Sequence, residues 1–99
     1  MNNDVKKWLE SLDDDGKMQA EVLDAYFTFR RNLPEKNSEM GPFVEDPKTT
    51  DDIMDDLTPM MVMDKKVVVE WMRAHEYHIT TAIDGSPKWA IWRLAENTE

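Results

Sequence analysis

The chain has 99 residues, 40% of them apolar, and a formal net charge of −9 at pH 7. This length gives one small domain, 1–99, with a modest core. The absence of cysteine excludes disulfides, thiolate catalysis and cysteine-based metal centres. No apolar run approaches the roughly 20 residues of a membrane span, and the N-terminus lacks signal-peptide features. We therefore expect a cytoplasmic protein without membrane association, and its size favours a prokaryotic or phage origin.

The acidic charge is concentrated in the first two thirds of the chain. Residues 1–63 carry 15 acidic and 7 basic side chains, a net charge of −8, whereas residues 64–99 carry 6 and 5, a net charge of −1. Such a charge disfavours long-range attraction to nucleic acid and favours attraction to basic protein surfaces. The acidity could also serve solubility alone.

Two N-terminal helices are predicted within residues 1–33. In the first, Val5, Trp8, Leu9 and Leu12 form one apolar stripe, and the acidic run 13–15 with Gly16 ends it. The second is predicted from about Asp15 to Leu33, with an apolar stripe that includes Phe29 and Leu33, two arginines at its end, and Pro34 after it. Its broad apolar face either completes the core or leads to a homodimer.

Residues 34–48 contain three prolines and one glycine, which is typical of a linker or long loop. Met40, Phe43 and Val44 could attach this segment to the rest of the domain. Disorder is the alternative that its composition leaves open. At the other end of the chain, residues 95–99 are expected to be a frayed tail.

A helix–helix–hairpin unit is predicted over residues 49–94. Thr49 and Asp52 have the spacing of a capping box at the start of a third helix that ends at Leu57. Asp64 caps a fourth helix that runs to about Tyr77. Its predicted buried stripe consists of Val67 or Val68, Trp71, Met72, and His75 or Ala74. The alternating strand 78–83, the Asp84-Gly85 turn and the returning strand 88–94 predict a β-hairpin.

The order of these elements resembles the winged helix-turn-helix superfamily. The resemblance covers about half of the chain, and it is one of pattern. It implies an α+β fold, mostly helical, in which the fourth helix and the hairpin make the contacts with a partner. Carried over by position, the implied contacts are Lys65, Lys66, Val69, Glu70, Arg73, Ser86 and Lys88. The chain departs from the pattern at four acids on the preceding helix: Asp51, Asp52, Asp55 and Asp56.

Other chemistry has little support in the sequence. His75 and His78 lack further ligands for a metal, and the acidic run ending at Gly16 fails the calcium-loop pattern at both ends. No nucleophile motif or glycine-rich phosphate loop is present, so we expect neither catalysis nor a cofactor. The aromatic set Trp71, Tyr77, Trp89 and Trp92 could form a binding patch. Core packing is the simpler role for most of its members, with Trp71 and one of the other two tryptophans buried.

These observations lead to three hypotheses of function. The first is a non-enzymatic, intracellular module that binds another protein. The second is a winged-helix regulator that binds DNA, which the net charge opposes. The third is an acidic inhibitor that occupies the nucleic-acid site of another protein through the four aspartates of the third helix.

Overall fold

The computed structural model of the protein describes residues 3–34 and 42–94, which form four helices and five short strands. The fold is α+β, as predicted from the sequence. No helix in these two segments has both the length and the apolar character that a membrane span requires. In chain order the elements are α1 (Asn3–Ser11), α2 (Asp14–Tyr26), β1 (Arg30–Arg31), β2 (Phe43–Glu45), α3 (Thr50–Leu57), α4 (Lys65–Ala74), β3 (Ile79–Thr81), β4 (Pro87–Trp89) and β5 (Trp92–Leu94).

The predicted starts of α3 and α4 are confirmed, because each rests on a local side-chain bond. The Thr49 hydroxyl accepts a hydrogen bond from the backbone N–H of Asp52, and the Asp52 carboxylate accepts one from the N–H of Thr49, both at 3.0 Å. This is the reciprocal capping box. At α4 the Asp64 carboxylate accepts from the N–H of Lys66 at 2.9 Å.

The second helix is shorter than predicted and starts one residue earlier. Asp13 caps it, by accepting a hydrogen bond from the N–H of Gly16 at 2.8 Å, and the helix ends at Tyr26 rather than Leu33. A turn over 27–29 follows, after which Arg30 and Arg31 pair with β5. Strand pairing therefore overrides helix propensity at this point. As a result Phe29 and Leu33, which were predicted to lie on the apolar stripe of this helix, are 55% and 62% exposed.

The hairpin forms at the predicted turn, but its pairing is shorter than predicted. Gly85 adopts a positive φ of 86°, and β3 pairs with β4 only from Ile79 opposite Trp89 to Thr81 opposite Pro87. In this register the residue opposite Trp92 would be Glu76, which belongs to the turn after α4. The returning strand therefore has no hairpin partner beyond Ala90, and β5 pairs instead with β1 and β2.

The interpretation of residues 34–48 as a linker needs correction over its last part. Phe43 is buried, β2 pairs antiparallel with β5, and the Asp46 N–H donates to the carbonyl of Ile91 at 2.8 Å. Lys48 continues the same register opposite Trp89. Segments 43–48 and 89–94 thus form one antiparallel ladder. Pro47 has no backbone N–H to donate, and the ladder tolerates it because this segment lies at the edge of the sheet. Positions 35–41 and the predicted frayed tail lie outside the described residues.

The core lies where α2, α3 and α4 meet the ladder. Both N-terminal helices complete it: α2 supplies buried residues, and the apolar stripe of α1 packs against the cluster. Trp71 and Trp89 are buried, as predicted for Trp71 and for one of Trp89 and Trp92, whereas Trp92 is only half-buried on β5. The homodimer stays a prediction. The largest fully buried side chains are Leu23, Ile53, Leu57, Val68, Met72 and Ile91.

Candidate functional site: the arginine–aromatic cleft

The residues that the resemblance placed on α4 differ in their accessibility. Lys65, Lys66 and Arg73 are exposed, whereas Val69 and Glu70 are half-buried. The half-burial arises because α1 packs beside this part of α4. The indole N–H of Trp8 donates to the Glu70 carboxylate at 2.8 Å. The implied contact surface of α4 is therefore partly occupied by the chain itself.

Three of the four aspartates of α3 have partners within the protein. The Asp51 carboxylate lies 3.5 Å from the Lys65 ammonium. Asp52 belongs to the capping box, and the bonds with Thr49 hold the pKa of Asp52 below its ordinary value. Asp55 is exposed, and its carboxylate has no polar partner among the described residues.

Asp56 is the most engaged of the four. It accepts a hydrogen bond from the Tyr26 hydroxyl at 2.5 Å and lies 3.2 Å from the Lys48 ammonium. Partial burial raises the pKa of Asp56, but the bonds from Tyr26 and Lys48 outweigh it, so the pKa lies below its ordinary value. The four aspartates of α3 therefore do not form a row of negative charges without partners in the protein.

The two hairpin residues of the implied contact set, Ser86 and Lys88, are half-buried. The Ser86 hydroxyl and N–H both donate to the Asp84 carboxylate, at 2.6 and 3.0 Å, so Ser86 serves the turn itself. Lys88 lines a shallow groove of about 470 Å³ together with Pro47 and Ile83.

A different region brings together charged, polar and aromatic groups. A cleft of about 260 Å³ lies between the C-terminal ends of α2 and α4. Two arginines, an asparagine, an aspartate and four rings meet there, so that charged, polar and aromatic groups share one small volume. The lining residues are Asp24, Phe27, Arg30, Arg31, Asn32, Trp71, His75 and Tyr77.

The aromatic part of the cleft is a stack of three rings. The indole of Trp71 lies between Phe27, at 4.6 Å between ring centroids and 23° between planes, and the imidazole of His75, at 3.9 Å and 20°. Tyr77 packs against the edge of the stack, with its centroid 5.0 Å from that of Phe27. The indole N–H of Trp71 donates to the Asp24 carboxylate at 2.9 Å, which fixes the rotation of the ring.

The end of α4 positions two of these rings through a left-handed turn. Glu76 has a φ of 64°, and the N–H of Tyr77 donates to the carbonyl of Met72 at 2.9 Å. This is the hydrogen-bond pattern of a Schellman helix end, which reverses the chain direction and returns Tyr77 to the core. The Asn32 amide donates to the carbonyl of Glu76 at 3.0 Å and so joins the segment after β1 to this turn.

Two guanidinium groups line the other side of the cleft. The guanidinium of Arg30 lies over the ring of Tyr26, 3.9 Å from the ring centroid, and its Nη1 donates to the backbone carbonyl of Tyr26. Its Nε is buried without a hydrogen-bond acceptor among the described residues. Arg31 lies over the ring of Phe43 at 5.0 Å and donates to the carbonyl of Thr28. Aromatic faces and backbone carbonyls hold both guanidinium groups near the cleft.

The titratable rings of the cleft are neutral at pH 7. Burial lowers the pKa of His75, although the nearby Asp24 carboxylate opposes the shift. Burial raises the pKa of Tyr77 to about 12. Neither the His75 ring nor the Tyr77 hydroxyl has a hydrogen-bond partner among the described residues. The cleft thus combines fixed positive charge with two neutral polar groups.

The sequence indicated this site only in part. The aromatic set contained Trp71 and Tyr77, but Trp89 lies in the core and Trp92 on β5. The two adjacent arginines were interpreted as charges at a helix end. A signal was present in Arg30-Arg31-Asn32, since paired arginines next to aromatic residues are typical of binding surfaces.

Comparison with known proteins gives no match: no family model, no curated protein and no solved structure is detectably similar to this chain. Within the two described segments, no three side chains of the kinds that bind metals converge on one point. Any proposal of function therefore rests on the geometry of the described residues.

The lowered pKa of His75 predicts a pH dependence of stability. Below the ordinary pKa of about 6.5, the unfolded chain binds more protons than the folded chain. The free energy of unfolding should therefore fall as the pH drops through this range. His75→Phe keeps a ring on Trp71 and should reduce the slope between about pH 7 and pH 5.5, as measured by urea denaturation. His78→Phe, outside the stack, is the matched control, and an unchanged slope in His75→Phe would contradict the prediction.

Proposed function

We propose that the protein is a non-enzymatic, cytoplasmic module that binds another protein, and that the partner docks at the arginine–aromatic cleft. The observation that carries the proposal is the meeting of Arg30 and Arg31 with the stack of Phe27, Trp71 and His75. Arginine and aromatic side chains are the groups that contribute most to the affinity of protein interfaces.

The surroundings of the cleft also support docking. Phe29 and Leu33 flank the two arginines in the sequence, and both are largely exposed. Exposed apolar side chains next to a charged contact can exclude water from it when a partner docks, which strengthens the contact. The candidate interface therefore consists of the cleft and these two neighbouring side chains.

DNA binding by a winged-helix-like arrangement of α3, α4 and the hairpin is the second candidate. The exposed Lys65, Lys66 and Arg73 favour it. The bond between Trp8 and Glu70, the aspartates of α3 and the net charge of −9 oppose it. The third hypothesis, an acidic inhibitor, loses support because Asp51, Asp52 and Asp56 have internal partners.

Site-specific photo-cross-linking tests the proposal. A photoreactive amino acid replaces exposed Leu33 beside the cleft in one variant and exposed Lys66 on α4 in another, each expressed in the cells that contain the protein. We expect a discrete protein adduct from position 33. The adduct should be lost with Arg31→Gln and retained with Lys17→Gln, which removes one positive charge from an exposed site on α2. Adducts from position 66 alone, or adducts to nucleic acid, would contradict the proposal.

A further inference from the structure

We infer that the surface where α2 meets the segment between α3 and α4 binds a basic, amphipathic helix of a partner protein. This surface, called here the methionine surface, consists of Met18, Val22, Met60, Met61 and Val62. It lies toward the start of α2, whereas the arginine–aromatic cleft lies at the end of that helix. The inference therefore adds a second binding surface and goes beyond the proposed function.

Two hydrogen bonds place residues 57–63 alongside α2. One joins the Tyr26 hydroxyl to the Asp56 carboxylate at 2.5 Å, and the other joins the Gln19 side-chain carbonyl to the N–H of Asp64 at 2.7 Å. The two α2 residues lie on one side of the helix, about two turns or roughly 10 Å apart along its axis. The segment that connects α3 to α4 therefore runs beside these two turns of α2.

The apolar side chains at this junction are largely exposed. Met60 and Val62 are 67% and 81% exposed, and Met18 on the neighbouring helix is 57% exposed. Val22 and Met61 are half-buried and pack against the core cluster, so they join the exposed side chains to it. Adjoining apolar side chains left in water are typical of a binding surface. Methionine is flexible and polarizable, which lets such a surface adapt to the side chains of a partner.

The charge around the methionine surface favours a basic partner. Residues 49–64 contain five acidic side chains and no basic one, and α2 contains four acidic side chains and one basic side chain, Lys17. Lysines pair with two of these carboxylates. Those of Asp14, Glu21 and Asp55 are exposed and have no salt-bridge partner among the described residues. Lysine or arginine side chains of a partner would be attracted to this border.

An amphipathic helix matches both the apolar groups and the acidic border. Apolar side chains at positions i, i+3, i+4 and i+7 of a helix span about 10 Å, which is the length over which α2 and residues 57–63 run together. Basic residues on the flanks of such a helix would lie close to the acidic side chains. A second copy of this chain would bring a net charge of −9 to the same place, and an anionic membrane would also be repelled.

NMR of the full chain with isotope-labelled methionine methyl groups tests this inference. The probe is a peptide of about 14 leucine and lysine residues, patterned as an amphipathic helix. Its controls are a scrambled peptide of the same composition and a peptide with glutamate in place of lysine. We expect the patterned peptide to shift the methyl signals of Met18, Met60 and Met61, and to leave that of the buried Met72 in place. The scrambled peptide should bind at least about tenfold more weakly, and the glutamate peptide should not bind.

Matched variants locate the binding surface. The double variant Met60→Gln, Val62→Ser replaces two exposed apolar side chains without altering the core, and binding should weaken about tenfold. Ile83→Ser replaces a fully exposed apolar side chain at the hairpin turn and should leave binding unchanged. Glu21→Gln should weaken binding about threefold, whereas Glu45→Gln, at an exposed position of β2, should have no effect.

Several results would overturn the inference. They are equal binding of the scrambled or the glutamate peptide, an effect of Ile83→Ser as large as that of the double variant, and the absence of shifts at Met18 and Met60. Concentration-dependent shifts of these signals without peptide would assign the surface to a second copy, and shifts with phosphatidylserine vesicles but not with peptide would assign it to a membrane. Arg31→Gln, in the cleft, should leave peptide binding unchanged, so this inference and the docking proposal can fail separately.

Discussion

Replacement of Trp71 by alanine should lower the free energy of unfolding by about 3–5 kcal/mol, the usual cost of removing a buried tryptophan. The side chain is 3% exposed, it stacks on Phe27 and His75, and it donates a hydrogen bond to Asp24. The substitution removes the ring, opens a cavity and leaves the Asp24 carboxylate without its donor. Because a small domain has only about 5–15 kcal/mol in total, the variant should lose a large part of its stability.

Urea denaturation followed by circular dichroism measures this loss. Trp92→Ala is the matched control, because Trp92 is half-buried on β5 and lies outside the main core cluster. Its loss should be clearly smaller than that of Trp71→Ala. Equal losses in the two variants would show that the stack does not organise the junction of α2 and α4.

Replacement of Gln19 by alanine should cost about 2–3 kcal/mol, which is large for a polar residue. Gln19 is a buried polar side chain, 3% exposed. Its amide N–H donates to Asp15, and its carbonyl accepts the backbone N–H of Asp64, both at 2.7 Å. Asp64 caps α4, so one side chain of α2 holds the start of that helix. Alanine leaves the N–H of Asp64 without its side-chain acceptor.

The same denaturation measurement tests this prediction, and amide hydrogen exchange locates the effect. Glu21→Ala, at an exposed position of α2, is the control and should change the stability by no more than about 0.5 kcal/mol. Exchange should accelerate over Lys65–Val68 in the Gln19 variant and stay unchanged in the control. A loss below about 0.5 kcal/mol in Gln19→Ala would contradict the assigned role of this side chain.

The elements that could be predicted from the sequence depend on local signals. The capping box joins Thr49 to a residue three positions away, and the hairpin turn needs a left-handed residue that Gly85 supplies. Asp64 likewise caps α4 through a bond to Lys66. Each of these interactions is complete within a few residues, so a short stretch of sequence is enough to indicate it.

The features that could not be predicted depend on contacts between distant parts of the chain. Arg30 and Arg31 pair with residues about 60 positions later, and helix periodicity alone extended α2 through them. The ladder between 43–48 and 89–94 gives no local signal beyond residues that tolerate an extended backbone. The cleft depends on the same contacts, because β1 places the arginines next to the end of α4.

The position of β5 between β1 and β2 has a kinetic consequence. The middle strand of this sheet follows both of its neighbours in the sequence, and among the described residues β1 and β2 have no ladder with each other. Each pairing closes a loop of about 50 to 60 residues, and such non-local closure slows folding. During synthesis the helices can collapse early, whereas the sheet has to wait until residues 92–94 leave the ribosome. The arginine–aromatic cleft, which needs β1 in place, should therefore be among the last parts of the molecule to fold.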